Sequence, residues 1–399
     1  MRLGVHNGQP FEGARVAVTG IGAVSCVGVG ADLLFERLLD PAAPNSRLVE
    51  EFDTAHLGGP KELRRLDPFS LYALAAADEA WQQSGLTYPY PDGASIISTG
   101  IGGLQSLLEQ VTVLRERGAN RVSPFLIPMM MPNAAAAAVS MRFGLQGPCE
   151  TITTACAAGT HAVGYGARLV ASSRCSVAVV GGAEAVITEI AEAGFANMTA
   201  LSSSGLSRPF DRDRDGFVMG EGAGVLILEN WDHAVARGAT ILAEVLGAAS
   251  TADAHHITAP EPSGLGARSC MRLAIEDAGL SVNDIDHVNA HGTSTPLNDL
   301  AESIAVRAIF GDRSVPVTSI KGHLGHSLAA AGALEAVVSV QTLRRQLIPP
   351  TSGTVHVDPE IDLDVVMLEA RSVSIDVVIS NSFGFGGHNG SVVLRAANQ

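Results

Sequence analysis

Short apolar runs alternate with longer amphipathic stretches through the first half of the chain. The short runs are rich in Val, Ile and Ala and end in glycine-rich turns, which is typical of buried strands. They occupy residues 14–25, 94–103, 175–185 and 222–229. Between them, residues 71–85 have helical spacing and end in glycine, and residues 157–173 carry small side chains suited to a buried helix. This alternation predicts an α/β fold with a largely parallel sheet covered on both faces.

The second half of the chain repeats the same alternation. Strand-to-turn patterns and helical patterns follow each other at residues 241–250, 268–279, 285–295, 315–322, 328–346 and 376–387. No Ser/Gly-rich or proline-rich linker separates the two halves. We therefore predict two similar α/β halves, residues 14–245 and 246–397, that pack together as one body.

Composition and charge narrow the class of protein. Of the 399 residues, 46% are hydrophobic, which is enough for an extensive core, and the 43 glycines favour close packing and tight turns. Aspartate and glutamate number 41 against 26 lysines and arginines, which gives a net charge of -15. Binding to nucleic acid needs clustered cations, so this balance argues against a nucleic-acid partner.

Cysteine usage and hydropathy indicate the compartment. The five cysteines are odd in number, widely spaced and without a CxxC pair, which is typical of reduced cytoplasmic thiols. Residues 1–15 lack the apolar core of a signal peptide, and no later apolar run reaches the length of a membrane span. We expect a soluble, cytoplasmic protein with no membrane partner.

The segment TITTACAAG, residues 151–159, carries the first candidate for chemistry. A strand-like run meets Cys156 and continues into a helix rich in Ala and Gly. A thiol at a helix N-terminus lies among free backbone N–H groups at the positive end of the helix dipole, which favours the thiolate and can hold an oxyanion. Taken alone, a cysteine between alanines is also compatible with a small buried side chain without a chemical role.

Two histidines and a glycine-rich turn in the second half are candidate partners. His291 in NAHGTSTP and His326 in KGHLGHS each stand beside glycine at a predicted strand-to-loop junction. Neutral imidazoles could donate N–H bonds to a thioester oxygen during decarboxylation, although each could instead be an ordinary loop histidine. In NSFGFGG, the N–H of Phe385 could complete an oxyanion hole with that of Cys156.

Five motifs in a fixed order give the strongest signal in the sequence. They are TACAAG, RPFDRDRDGFVMGEGAG, VNAHGTSTP, KGHLGH with the following AAGALE, and NSFGFGG. On these motifs the chain resembles the elongating β-ketoacyl-[acyl carrier protein] synthases, condensing enzymes of the thiolase superfamily, from about residue 16 to residue 394. The resemblance implies a thiolase-like fold, two α/β halves in a layered α-β-α-β-α body, and decarboxylative condensation of a malonyl thioester with an enzyme-bound acyl chain.

The resemblance also implies catalytic roles at matching positions. Cys156 would be the acyl-accepting nucleophile, and His291 and His326 would bind the malonyl thioester carbonyl and promote loss of carbon dioxide. Phe385 would be a gating phenyl ring beside the nucleophile. The reaction so implied needs no metal or redox cofactor.

A lysine and an acidic residue complete the implied catalytic set. Lys321 matches the active-site lysine of the family, and Glu302, in the DxxE after HGTSTP, is its predicted partner because a buried ammonium needs a carboxylate. The two could equally form a purely structural ion pair. A structural cation is conceivable for this family, but oxygen-rich loops without repeated acidic spacing give no basis for predicting one. The positions concerned are Asn289, Glu335, Asn381 and Ser382.

Substrate-binding positions follow from the same resemblance. Thr258, Thr293 and Thr295 match positions that line a tunnel for the phosphopantetheine arm of the carrier protein, where hydroxyls can bond the amides of the arm. Ile101 and Phe125 match positions of the acyl pocket and of its floor across a dimer interface. Ordinary core residues would look the same in sequence at these two positions, so acyl length cannot be predicted.

A small basic cluster suggests where the carrier protein docks. Lys61, Arg64 and Arg65 in KELRRLD align with the docking surface of the family, and carrier proteins are acidic. A solvated helix face would give the same pattern. RPFDRDRDG is interpreted as a charged loop braced by internal ion pairs, without chemistry of its own. The implied partners are acyl carrier protein and either a second copy of the chain or a homologous chain-length subunit.

Three other classes of protein remain open. A non-catalytic chain-length subunit would lack the nucleophile, whereas this chain has Cys156 and both histidines, although it could still require such a partner. The second class is a thiolase or an initiating synthase that uses coenzyme A substrates. A thiolase would be expected to supply a second C-terminal cysteine as base, and Cys270 lies outside any matching motif. An initiating synthase would be expected to have an Asn in place of one histidine. A Cys-His hydrolase needs neither two histidines nor a lysine. Fatty-acid and polyketide pathways use the same condensation and are not distinguished.

Three positions depart from the pattern of the family. Asn298 and Ala329 stand where glycine is common, and Leu324 replaces a frequent threonine in KGHLGH. A small residue still satisfies the packing at Ala329, whereas Asn298 could alter a turn. None of the three removes a catalytic atom, so they bear on substrate size and rate more than on the class of reaction.

Overall fold

The computed structural model describes residues 13–40, 42 and 46–397. Fourteen strands are formed in this part of the chain. They are β1 Val16–Ser25, β2 Gly28–Val29, β3 Gly93–Ser98, β4 Cys149–Glu150, β5 Val177–Glu184, β6 Gly222–Asn230, β7 Ala243–Ala252, β8 His287–Asn289, β9 Pro316–Thr318, β10 Leu347–Ile348, β11 Asp364–Val365, β12 Arg371–Ser372, β13 Val377–Gly384 and β14 His388–Ala396.

Thirteen α-helices lie between and around these strands in the described residues. They are α1 Ala31–Leu38, α2 Pro60–Leu63, α3 Pro68–Ser84, α4 Leu104–Arg117, α5 Leu126–Met130, α6 Ala134–Phe143, α7 Ala158–Ala171, α8 Glu189–Asn197, α9 Trp231–Ala236, α10 Leu265–Asp277, α11 Pro296–Phe310, α12 Lys321–Leu324 and α13 Ala331–Arg345. Each long helical pattern of the sequence therefore corresponds to a helix, namely α3, α7, α10 and α13.

The strand order shows that the two halves repeat one arrangement. The first half runs β1-β6-β5-β3-β4 and the second runs β7-β14-β13-β8-β9, with β11 added at the outer edge. In both halves the first two pairings are antiparallel and the next two are parallel. The halves join where β1 and β7 pair along Val16–Val18. This repetition is the two-halved α/β architecture expected from the sequence.

The expectation of a largely parallel sheet is wrong for the inner strands of each half, next to the junction of the two halves, where the pairings are antiparallel. The strands β13 and β14 are joined by the short turn Phe385–Gly387, and so tight a connection can join only antiparallel strands. The pattern of β14 itself was missed in the sequence. The predicted division between residues 245 and 246 falls within β7 and stays a prediction.

Helices α7 and α13 form the middle layer between the two halves of the sheet. Helix α13 is buried from Ala331 to Leu343, and it packs on β6 of one half and on β13 and β14 of the other. Small residues permit the close approach: a Cβ at Gly224 would lie 2.5 Å from the backbone of Ala333. Helix α3 covers β1 and β6 on the outside, and α10 covers β7 and β14. The result is the layered α-β-α-β-α body.

Helix α3 shows how local sequence sets the element boundaries. The Asp67 carboxylate accepts the N–H of Phe69 at 3.2 Å, and Pro68 occupies the first helical position, where its missing N–H costs nothing. Gly85 ends the helix with φ 70°, a left-handed conformation that glycine adopts without strain. The sequence pattern predicted this end.

His287 on β8 is a buried polar residue with a consequence for acid stability. Neither ring nitrogen has a hydrogen-bond partner among the described residues, and burial, with Arg371 contributing, lowers the pKa of the imidazole from 6.5 to about 3. Below pH 6.5 the unfolded chain binds a proton that the folded chain refuses, so stability falls as the pH falls toward 3. The loss amounts to about 2 kcal/mol at pH 5.

We expect His287→Leu to reduce by about 2 kcal/mol the drop in unfolding free energy between pH 7 and pH 5. Denaturant titrations at the two pH values measure this drop, and His255→Leu, which removes an exposed histidine, is the matched control. An identical drop in wild type and His287→Leu would show that this ring does not set acid stability.

Candidate active site

Cys156 lies at the junction that the sequence indicated. Residues 151–154, which form no regular secondary structure, lead into a single 3₁₀ turn at Ala155–Ala157, and α7 follows directly. Ala155 has φ 50°, a left-handed conformation that is strained for a residue with a Cβ. The turn leaves the Cys156 side chain 6% exposed at the N-terminus of a long buried helix.

The fold brings two histidines from the second half to this cysteine. The Cys156 sulfur and one ring nitrogen each of His291 and His326 lie within 4.8 Å of one another. The imidazole rings are nearly perpendicular, with centroids 5.4 Å apart. His291 follows β8, and the backbone of His326 is fixed because its amide N–H donates to the Val218 carbonyl at 2.7 Å. Three residues that are distant in sequence therefore form one compact group.

Both imidazoles are neutral at pH 7. Burial lowers the pKa of His291 and of His326 well below 6.5, and the nearby ammonium of Lys321 lowers both further. A neutral ring donates one N–H and accepts at its other nitrogen. The pair can therefore offer hydrogen bonds to an oxygen that becomes negative, without already carrying charge.

The predicted pairing of Lys321 with Glu302 is wrong. The Lys321 ammonium donates to the His291 carbonyl at 2.5 Å and forms an ion pair with the buried Glu335, on α13. Burial raises the pKa of the Glu335 carboxyl to about 7, and Lys321 opposes this rise. A signal was present in the sequence, because Glu335 stands in the apolar run AGALEAVV and a lone acid in a buried helix needs a partner.

Glu302 instead shapes the loop that carries His291. Its carboxylate accepts the N–H groups of His291 at 2.8 Å and Gly292 at 2.7 Å. Asp299, one helical turn earlier, accepts those of Thr293 and Ser294. These bonds replace the strand pairing that the sequence pattern predicted for residues 285–295, of which only His287–Asn289 is strand. Burial raises the pKa of the Glu302 carboxyl to about 7, although the two N–H bonds act to lower it.

The Cys156 thiol is protonated in the resting protein, which differs from the expected thiolate. Burial raises its pKa to about 11, while the backbone N–H of Phe385, the charge of Lys321 and its own N–H act in the opposite direction. The backbone N–H groups of Cys156 and Phe385 both act on the sulfur, and their role as an oxyanion hole stays a prediction. Gly384 lets the strand approach, because a Cβ there would lie 3.0 Å from the Cys156 nitrogen.

A cleft of about 350 Å³ connects this group with the surface. All three threonines singled out in the sequence line it, and the Thr293 and Thr295 hydroxyls are 2.8 Å apart. Phe385 lines it too, with its ring 6.3 Å from that of Phe195. Asn298, which replaces a common glycine, faces the same cleft and donates to Asp299 at 3.2 Å.

Apolar side chains around the nucleophile were not found from the sequence. Phe217, Leu328 and Phe383 line the cleft together with Met198. Phe217 packs edge-on against His326, with centroids 5.3 Å apart, and Phe383 packs against His291. These residues come from four separate segments without a shared spacing, so only the fold brings them together.

Ile101 and Phe125 do not line this cleft. They are 41% and 37% exposed, and no side chain of α5 between Leu126 and Met130 is buried. The docking candidates Lys61, Arg64 and Arg65 are also exposed, and the Arg65 guanidinium lies 4.2 Å from the centre of the Phe125 ring. The basic cluster and the predicted pocket floor therefore adjoin on one surface.

The charged motif RPFDRDRDG is braced both by ion pairs within itself and by residues outside it. The buried Arg214 donates to Asp358 at 2.5 Å and lies 3.8 Å from Asp299. Asp211 accepts the N–H groups of Val355 and His356. The predicted internal ion pairs also form, because Arg208 lies 3.6 Å from Asp215 and Arg212 lies 3.7 Å from Asp213. The motif is therefore braced from within and from neighbouring loops.

The four positions considered for a cation are buried beside α13. The Asn289 amide donates to the Glu335 carbonyl at 3.1 Å, and the Ser382 hydroxyl bonds to Thr160 and to the Glu335 carboxylate. The Asn381 side chain accepts from Ser391 at 2.7 Å. Lys321 already supplies a positive charge to this group, and the expected absence of a metal stays a prediction.

A buried thiol that faces two neutral imidazoles, at the meeting of two repeated α/β halves, defines the class of thiolase-like condensing enzymes. Two sequence models agree with this class: "Beta-ketoacyl synthase, N-terminal domain" matches residues 46–234, and "Beta-ketoacyl synthase, C-terminal domain" matches residues 242–355. The chain belongs to the β-ketoacyl synthase family.

Curated relatives are similar over nearly their whole length. The "3-oxoacyl-[acyl-carrier-protein] synthase 2" of Rhizobium meliloti is 43% identical over 96% of this chain and 98% of that protein. The protein of the same name from Synechocystis sp. is 41% identical over 96% of this chain and 99% of that protein. Both relatives are acyltransferases by name, and this chain is an acyltransferase of the same family.

Solved structures extend the similarity to the fold. The ishigamide ketosynthase/chain length factor superposes with a TM-score of 0.91 at 33% identity, over 97% of this chain and 100% of that chain. A second structure is a type II polyketide synthase acyl-carrier protein in complex with its ketosynthase bound to the hexaketide. It superposes with a TM-score of 0.88 at 29% identity, over 97% of this chain and 100% of that chain. A β-ketoacyl synthase from Burkholderia phymatum superposes with a TM-score of 0.89 at 33% identity, over 96% of this chain and 100% of that chain.

Among the described residues, no helix combines the length and the apolar character that crossing a membrane requires. Residues 1–12, where we expected no signal segment, lie outside the described part of the chain.

Proposed function

We propose that this chain is a β-ketoacyl-[acyl carrier protein] synthase that condenses malonyl-carrier protein with an acyl chain held on Cys156. The observation that carries the proposal is the approach of the Cys156 sulfur and both imidazoles to within 4.8 Å at the base of the cleft. Relatives over 40% identical carry the corresponding name. We expect the reaction to take place in the cytoplasm.

The first half-reaction loads the enzyme. The Cys156 sulfur bonds to the acyl carbon while the bond from that carbon to the pantetheine sulfur breaks. The thiol proton passes to one of the two imidazoles, His291 or His326, and from there to the departing pantetheine sulfur. Because the thiol pKa is about 11, proton transfer accompanies attack rather than preceding it. The N–H groups of Cys156 and Phe385 bind the oxyanion.

The second half-reaction forms the carbon-carbon bond. The bond from the malonyl carbon to its carboxylate breaks, carbon dioxide leaves, and the electron pair forms an enolate whose oxygen accepts N–H bonds from His291 and His326. The enolate carbon bonds to the acyl carbon, and the bond to the Cys156 sulfur breaks. The sulfur leaves as thiolate and takes a proton from solvent. The Lys321 ammonium holds the loop of His291 in place by donating to the His291 backbone carbonyl.

The shape of the cleft fits a substrate carried on a long arm. Thr258, Thr293 and Thr295 place hydroxyls along its walls, where they can bond the two amides of phosphopantetheine. The arm belongs to the carrier protein, so the enzyme itself needs no bound cofactor. A thiolase-type reaction is disfavoured because Cys156 is the one cysteine among the described residues that line this cleft.

The direct test combines the purified chain, a malonyl-carrier protein and an acyl-carrier protein. Carbon dioxide release and a 3-oxoacyl carrier product, detected by intact mass, are the expected results. The length and saturation of the product then distinguish fatty-acid from polyketide substrates. Absence of both products under conditions where the carriers are loaded would refute the proposal.

The same assay addresses the partner chain. The exposed apolar residues of α4 and α5, together with Ile101 and Phe125, suggest that a second chain covers this face. A homodimer would elongate without further protein. If the chain elongates only after addition of a homologous chain-length subunit, the heterodimer is the working form.

We expect charge reversal of Arg64 and Arg65 to glutamate to weaken carrier-protein binding about tenfold at low ionic strength, and less at high salt. Both side chains are exposed beside the predicted pocket floor, where they can steer an acidic partner. Titration calorimetry at two salt concentrations measures the effect, with Arg272→Glu on α10 as the control. Equal affinity for wild type and the double variant would make the cluster ordinary surface.

A further inference from the structure

Glu184, at the end of β5, is a buried carboxylate that the mechanism above does not use. Its exposed fraction is 0%. One oxygen accepts the Thr99 hydroxyl at 2.8 Å and the N–H of Ile101 at 3.3 Å, and the other accepts the N–H of Gly100 at 2.8 Å and that of Ala329 at 3.3 Å. Four donors from two distant segments therefore converge on one side chain.

The hydrogen-bond pattern requires an ionised carboxylate. The N–H of Gly102 donates to the Thr99 oxygen at 3.2 Å, which leaves the Thr99 hydroxyl proton directed at Glu184. Every recorded partner of Glu184 is thus a donor, so a proton on this carboxyl would face other protons. Among the described residues no cationic side chain lies within ion-pair distance of it. Burial raises its pKa, and the four donors oppose this.

The two segments that Glu184 joins are distant in sequence, and one of them reaches the site. Ala329 follows Leu328, which lines the cleft and has φ 47°, a strained conformation for a residue with a side chain. This turn lies three residues after His326. The other segment leads to Ile101, the predicted acyl-pocket residue. One carboxylate therefore holds both the histidine turn and the acyl-side loop.

Glu184 also acts on the nucleophile through its charge. Four ionisable groups surround the Cys156 thiol: Lys321, Glu184, His291 and His326. Both imidazoles are neutral, Lys321 lowers the pKa of the thiol, and Glu184 raises it. The negative charge of Glu184 thus disfavours the thiolate form of Cys156 as long as neither imidazole accepts the thiol proton.

We propose that Glu184 is a positioning residue of the condensation site, whose ionised carboxylate joins the Thr99–Ile101 loop to the turn after His326 and supplies a fixed negative charge to the surroundings of Cys156. The inference rests on the proposed function of Cys156 as nucleophile. Glu184 itself contacts no substrate. It sets the geometry and the reactivity of the groups that do contact substrate.

The test compares Glu184→Gln, which removes the charge at constant shape, with Thr99→Val, which removes one donor at constant charge. Alkylation of Cys156 by iodoacetamide, followed by peptide mapping, should be about 3- to 10-fold faster at pH 8 in Glu184→Gln. It should stay within about twofold of wild type in Thr99→Val. A wild-type alkylation rate in Glu184→Gln would overturn the proposal.

Turnover supplies a second readout. Glu184→Gln should lower kcat about tenfold and leave KM for the malonyl carrier within about twofold, because the residue positions groups and contacts no substrate. A raised KM with unchanged kcat would contradict a positioning role. Alkylation needs no carrier protein, so this inference and the proposed condensation can fail independently.

If Glu184→Gln does not fold, hydrogen exchange of the unmodified protein provides the test. The amides of Gly100, Ile101 and Ala329 should be protected at pH 7 and should lose protection together as the pH is lowered through protonation of their shared acceptor. Independent loss in the two segments would overturn the proposal.

Discussion

Replacing Cys156 by alanine is expected to lower elongation at least about 10⁴-fold, because the variant has no atom that can carry the acyl chain. The His291 and His326 pair remains in place, so malonyl-carrier protein should still release carbon dioxide without forming a longer product. Measuring both products separates the nucleophile from the histidines. The side chain is small and buried, so the substitution leaves a cavity of little more than one sulfur atom.

The control for this variant is Cys149→Ala, which removes an exposed cysteine on β4 and should elongate at the wild-type rate. Normal elongation by Cys156→Ala would make the nucleophile assignment wrong. Loss of activity in both variants would point instead to general damage from removing a thiol.

Removing His326, by His326→Ala, should reduce decarboxylation and elongation about 10² to 10³-fold, because an N–H donor to the developing enolate is lost. His291→Ala should do the same. Acyl transfer to Cys156 should persist in each single variant, since the other imidazole can still accept the thiol proton. Single-turnover loading and carbon dioxide release, measured separately, distinguish the two steps.

His356→Ala is the matched control because this histidine is exposed and lies outside the cleft. It should leave both half-reactions unchanged. If His291→Ala and His326→Ala lose loading but keep decarboxylation, the pair serves Cys156 as base and not the enolate, and the second half-reaction must be rewritten.

The sequence predicted the central residues because their signals are local. Cys156 stands where an extended run meets a helix, and His291 and His326 follow strand-like runs beside glycine. Each such junction projects a side chain from a rigid scaffold. The ordered motifs then assigned the three residues to one site, and the structure brings their reactive atoms within 4.8 Å.

The ionic partners could not be predicted in the same way. Glu302 is the predicted partner of Lys321 because it stands in the DxxE after HGTSTP and a buried ammonium needs a carboxylate. In the structure it accepts backbone N–H groups, and Glu335 forms the ion pair with the ammonium. Which carboxylate meets which cation depends on how α13 packs between the two halves of the sheet. The expected thiolate form of Cys156 was wrong for the same reason. A helix N-terminus lowers the pKa of a thiol, but the depth of burial raises it here.

The fold could be predicted further than the site. Apolar periodicity identified the middle-layer helices α7 and α13 and most long strands, because burial on both faces leaves continuous small and apolar runs. Strand direction was predicted less well. Antiparallel pairing of β13 and β14 depends on the turn Phe385–Gly387, which the sequence indicated as glycine-rich without fixing its geometry.

Peptide-resolved mass of the chain after brief exposure to acyl-carrier protein alone tests the central claim most directly. The account predicts a gain of one acyl group, confined to the peptide that contains Cys156. An acyl group on Cys26, Cys149, Cys175 or Cys270 instead, or no acylation by a carrier that loads a related synthase, would contradict it.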